Sequence, residues 1–189
     1  MVRLKLFAIF IVLYCFANII VDLKLYSCVG PAVVVSDVYA NKIKVARDLF
    51  IKPINFPEPK YRIKITQCYN AWASYQDNTI VISEPVIKNF STKELAGILG
   101  HELAHIQADK QKVSVADQID NHWKIDVMGA ELTSKEVMIK KLNRMLEEND
   151  NLFKTNGFLM YYFPLSYLEH TLSRDDFMFR IKKVNDHFK

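Results

Sequence analysis

The sequence predicts an α+β fold in which a small, mostly antiparallel sheet packs on one functional helix and further helices, with an apolar helix ahead of them. Three observations carry this. Apolar and polar residues alternate over 61–66, and two more β-rich stretches follow before residue 84. From Ser91 onward, four successive segments open on a Ser or Thr cap and then repeat apolar residues at helical spacing. Residues 6–21 are apolar except for Asn18. At 189 residues the chain accommodates one domain, expected over 31–189, plus an N-terminal appendage over 1–24.

The appendage begins with Arg3 and Lys5 and continues into the apolar run. A signal-anchor is the expectation, with a cleaved signal peptide or a buried helix as alternatives. The domain is then expected on the outer side of the membrane, or secreted if the segment is cleaved, although Lys and Arg on both flanks of the run leave its sidedness open. Of the three cysteines, Cys15 lies in the run, which leaves Cys28 and Cys68 as a possible disulfide in an exported domain.

Apolar recurrence at Val38, Ile43, Val45, Ala46, Leu49 and Phe50 predicts a covering helix over 36–51. Pro53, Pro57 and Pro59 make 52–60 a loop. Tyr61, Ile63 and Ile65 then form the inner face of a strand, and 69–75 and 79–83 form a hairpin turning at Gln76, Asp77 and Asn78.

Ser91 and Glu94 make a capping box, and the helix it opens directs Leu95, Ile98, Leu99, Leu103 and Ile106 to the core. Gly97 and Gly100 inside it cost about 1 kcal/mol each relative to alanine, which predicts another backbone, such as a sheet strand, packed closely there. The same helix carries His101-Glu102-Leu103-Ala104-His105. Histidines four apart stack on one helix face, where one tetrahedral zinc takes a nitrogen from each. Glu102 lies roughly 100° round the helix from His101, placed to reach a water at that site as general base.

A further helix is expected over 115–131, with His122 and Asp126 sharing a face. His122 is the candidate third ligand, Asp126 a hydrogen-bond partner for a ligand imidazole, and Asp117, Asp120 and Glu131 the fallback ligands. Thr133 to Glu136 caps a helix reaching about Glu148, and Ser173 to Asp176 caps the last, ending near His187. The aromatic stretch 158–168, broken by Pro164, reads as a core or cleft wall, with interfacial membrane contact as the alternative.

A charge of +4 scattered in short groups fits a solvated charged face better than a basic nucleic-acid face, so no nucleic-acid partner is expected. No glycine-rich phosphate loop, zinc-ribbon spacing or repeat is present.

The order Tyr69-Asn70-Ala71-Trp72-Ala73, then Thr79-Ile80-Val81-Ile82-Ser83, then the helix with the metal motif resembles the HtpX-like and CAAX prenyl protease family of gluzincin metallopeptidases and the small minigluzincins. The resemblance spans about Tyr61 to Lys183. It implies a zincin-like domain with one zinc ion per chain on His101 and His105, Glu102 as general base, and a protein or peptide substrate lying along Ile80, Val81, Ile82 and Ser83. The family's Glu-x-x-x-Asp motif corresponds here to His122-Trp123-Lys124-Ile125-Asp126, with histidine in place of the glutamate ligand. The resemblance further implies His170 as a catalytic hydrogen-bond donor and Arg180 as a partner of Asp126. The expected function is zinc-dependent endopeptidase. The alternatives are a membrane-anchored module that keeps zinc for structure, and a cytoplasmic SprT-like protease.

Overall fold

The computed structural model describes residues 33–34, 37–54, 56–65, 69–74, 76–162 and 174–189. Its elements are β1 (Val33–Val34), α1 (Asp37–Arg47), β2 (Lys60–Lys64), β3 (Ala71–Ser74), β4 (Thr79–Ser83), α2 (Glu84–Asn89), α3 (Thr92–Lys110), α4 (Val115–Asp120), α5 (His122–Leu132), α6 (Lys135–Tyr162) and α7 (Arg174–His187). The apolar run, all three cysteines and the pairing of Cys28 with Cys68 lie outside the described residues. Among the described residues no helix is long and apolar enough to cross a membrane.

The fold is α+β, but the sheet is mixed rather than mostly antiparallel. Strand order is β1-β2-β4-β3. The chain leaves β2, forms the outermost strand β3 and turns back through the 76–78 turn, where Asn78 takes a positive φ of 49°. The returning β4 slides between its predecessors, antiparallel to β3 and therefore parallel to β2, with Ile63 opposite Ile82. Strand β2 also ends at Lys64, two residues short of its alternation: Ile65 is 68% exposed while Lys64 is buried. The Lys64 ammonium lies 5.6 Å from the Trp72 ring and has no hydrogen-bond partner among the described residues.

Helix α1 is shorter than its apolar recurrence predicts. Only Ile43 and Ala46 are buried along it, and Val38 and Val45 face outward. Leu49 and Phe50, past its end, pack on the core from the loop, where the N–H groups of Ile51 and Lys52 donate to the carbonyl of Leu132. Helix α2, which starts with a proline in its first turn, has no counterpart in the apolar pattern.

Helix α3 begins as its capping box dictates: the Glu94 N–H donates to Ser91 Oγ and the Ser91 N–H to Glu94 Oε2. It is buried on all sides because two layers enclose it. Leu95, Leu99, Leu103 and Ile106 join Ile63, Ile80 and Ile82 of the sheet and Ile43 and Ala46 of α1. On the opposite side Ala104 and Ala108 meet Ile125 of α5, and a separate apolar cluster joins α5, α6 and α7 through Val127, Met138, Leu142, Phe177 and Val184.

The glycines of α3 admit helices, not a strand. A Cβ on Gly97 would lie 2.6 Å from Lys141 Cβ, and one on Gly100 would lie 2.8 Å from Thr133 Cγ2 and 3.0 Å from the carbonyl oxygen of Gly129. Gly129 in turn backs onto Gly100 and the His101 nitrogen. This contact between α3 and α5 occurs one residue from His101 and three from Asp126, and so brings those two side chains together.

The helix predicted over 115–131 is two helices. Asn121, at φ −118° and ψ 39°, ends α4 and starts α5. Helix α6 starts where predicted, with Ser134 Oγ accepting from the Val137 N–H, but runs to Tyr162, well past Glu148 and into the start of the aromatic stretch. Residues 163–173, which include His170, lie outside the described residues.

Candidate metal centre and its surroundings

One helical turn of α3 sets the rings of His101 and His105 edge to face, 4.8 Å apart. The start of α5 brings in His122, whose ring centroid is 5.2 Å from that of His101 and 5.1 Å from that of His105. One nitrogen from each ring lies within 4.8 Å of the others, and the Nε2 atoms of His105 and His122 are 3.1 Å apart. Two nitrogens bound about 2.0–2.1 Å from one tetrahedral zinc would stand ~3.3 Å apart, so this edge is close to that of a zinc site.

The neighbours of the rings fix which nitrogens carry lone pairs. Asp126 Oδ1 lies 2.8 Å from His101 Nδ1, and a carboxylate only accepts, so that nitrogen donates. Gln118 Oε1 lies 2.8 Å from His105 Nδ1, which donates likewise. Both imidazoles keep their Nε2 lone pair. Burial lowers the proton affinity of all three histidines: His101 falls well below the ordinary range, His105 falls, and His122, further opposed by Arg180 and His105, falls to about 4. Near neutrality the rings are uncharged donors, and three imidazoles form a legitimate zinc set.

Asp126 is completely buried, with His101 and Lys141 Nζ (3.2 Å) on Oδ1 and Arg180 Nε (2.5 Å) on Oδ2. Burial alone would raise its pKa, but Lys141, Arg180 and His101 together hold it well below the carboxylate range. Glu102 is pushed up to about 7, chiefly by burial, which outweighs Lys141 and the backbone N–H of Ala73 acting in the other direction. A carboxyl that titrates near neutrality is poised both to take and to return a proton. Two carboxyls, Asp126 and Glu102, are thus enclosed with two cations, Lys141 and Arg180.

The structure brings together His101, Glu102, His105, His122, Asp126 and Arg180. It leaves the fallback residues outside: exposed Asp117 accepts from Ser114 Oγ, Asp120 is exposed, and Glu131 pairs with His187 and Lys52. The substrate-edge expectation is corrected. Ile80, Val81, Ile82 and Ser83 form the interior strand β4, flanked by β2 and β3. The outer strand beside the site is β3, and Ala73 on it faces Glu102. Since the Ser83 N–H donates to the Asn70 carbonyl at 2.9 Å, ladder alternation turns the backbone groups of Ala71 and Ala73 outward.

Two residues of the site escape a reading by motif. Lys141 interrupts the apolar stripe Met138-Leu142-Met145 of α6, and that interruption was its signal. Gln118 carries no such mark, because its place behind His105 depends on how α4 and the loop before it pack on α3.

The model of peptidase family M48 matches residues 40–175. Neither curated proteins nor solved structures give a match. The match covers most of the chain and encloses His101, His105 and His122, whose grouping fits a zinc site: this protein belongs to peptidase family M48, the HtpX- and CAAX protease-like metallopeptidases.

Proposed function

We propose that the chain is a zinc-dependent endopeptidase in which Glu102 is the general base. The observation that carries this is the convergence of three uncharged imidazoles beside a carboxyl that titrates near pH 7, next to the outer strand β3. His101, His105 and His122 would hold one zinc ion per chain. When bound, zinc supplies a Lewis acid that acidifies water and polarises a carbonyl.

The chain's own residues do the rest. Strand β3 binds an extended peptide by backbone pairing, which selects for unfolded substrate over a particular side chain. Glu102 removes a proton from the attacking water as its oxygen bonds to the scissile carbonyl carbon. It then delivers that proton to the amide nitrogen as the C–N bond breaks. Asp126, held by Lys141 and Arg180, keeps His101 in the ligand tautomer. His170 as a further hydrogen-bond donor belongs to the same proposal, as does tethering through residues 6–21 with the catalytic domain outside the membrane.

Cleavage of an unstructured protein by the full-length chain, with new termini mapped by mass spectrometry, tests the mechanism. Glu102→Gln should retain zinc and lose cleavage, and His122→Ala should lose the metal. Equal cleavage by wild type and Glu102→Gln would sink it.

A further inference from the structure

We infer that Gln118 is a positioning residue for His105, locking its imidazole in the tautomer that presents Nε2 to the metal; this rests on the zinc reading above. Gln118 is 2% exposed, and both ends of its amide are engaged. Nε2 donates to the Val113 carbonyl at 3.0 Å, while Oε1 faces His105 Nδ1 at 2.8 Å. The Val113 carbonyl can only accept, so it dictates which end of the amide is which. A flipped amide would set two oxygens against each other and its NH₂ against Nδ1–H. The loop before α4, where Lys112 adopts a positive φ of 62°, therefore orients the amide, and the amide orients the ring.

The two α3 histidines are thus supported differently. His101 leans on an ionised Asp126 neutralised by two buried cations, whereas the Nδ1 of His105 leans on a neutral amide. An amide provides the acceptor without adding a third carboxyl to a pocket whose two cations are already engaged.

Three variants separate this role from simple loop anchoring. Gln118→Glu keeps an acceptor for Nδ1 and loses the bond to Val113. Gln118→Leu loses both, and Gln118→Met does so at closely matched length. Zinc affinity of each full-length chain is measured by chelator competition. The His105 tautomer in the metal-free protein is read from imidazole ¹⁵N shifts. The expected result is Nδ1–H in wild type, a loss of that preference in the Leu and Met variants, zinc binding weakened ~10–100-fold in both, and binding within a few-fold of wild type for Glu. If all three variants weaken zinc equally, or if the tautomer does not change, Gln118 only ties down the loop and the inference is overturned. If wild type shows the Nδ1–H tautomer but binds no zinc, the zinc reading falls and with it the ligand purpose of the lock, a result distinct from the other two.

Discussion

Replacing Asp126 by Asn removes one buried negative charge and leaves two buried positive ones. Lys141 and Arg180 are 2% and 4% exposed, and both direct their charge at this carboxylate. An asparagine can turn its oxygen toward His101 and Lys141, but its NH₂ then meets Arg180 Nε, donor against donor. Removing one partner of a buried ion pair costs about 3–5 kcal/mol, because the other charge stays desolvated and unpaired. For a chain of this size each kcal/mol moves Tm by roughly 2–4 °C, so Asp126→Asn should lower Tm by about 6–20 °C. Urea unfolding at pH 7 in the presence of a chelator isolates this effect from metal binding. Adding Lys141→Met to Asp126→Asn should restore part of the loss, since one orphaned cation is then gone, whereas Lys141→Met alone should destabilise. A loss below about 1 kcal/mol in Asp126→Asn, or strictly additive effects in the double variant, would refute the claim that these charges form one unit.

Other expectations follow from the same geometry. Gly100→Ala places a methyl group against Thr133 and the Gly129 backbone, and should cost about 1–3 kcal/mol while weakening zinc binding, because the α3–α5 approach positions Asp126 and His122; unaltered unfolding and zinc titration would show that the helices part without consequence. The raised pKa of Glu102 means that its contribution to stability is complete below its unfolded value near 4.5 and is lost as pH rises through about 7. Metal-free Glu102→Gln should therefore gain on wild type between pH 5 and pH 8, by up to ~3 kcal/mol, and a pH-independent difference between the two would contradict it. The histidines act in the opposite sense: with folded pKa values below 6.5, they weaken the fold and release metal as pH falls toward 4, which zinc retention at stepped pH would reveal.

Much of the site was legible because its signals are local. The i, i+4 histidines and the capping box depend only on helix geometry, and the hairpin turning at Asn78 depends on turn chemistry. His122 and Asp126 were legible as a pair on one helical face, although the helix carrying them starts at His122 itself. The sheet misled for a non-local reason. A run such as Thr79–Ser83, buried along its whole length, marks an interior strand, and nothing within it says which neighbours it will have. The outer strand is the less apolar β3, whose residues are each only partly buried. The glycines signalled a close approach correctly but could not name the partner, since α5 and α6 reach α3 only after the chain has folded back over it.

The sequence by itself determined the metal motif, the helix that bears it, the α+β class and the family, because each is written in residue types at fixed short spacings. Tertiary structure alone decided that β3 and not β4 borders the site. It also decided that Lys141 joins the expected Arg180 on Asp126, and that Gln118 is the residue behind His105. Those contacts join residues 13 to 54 positions apart. They exist because α3 is enclosed between sheet and helices, where a polar group cut off from water is stabilised by pairing with whatever lies within reach.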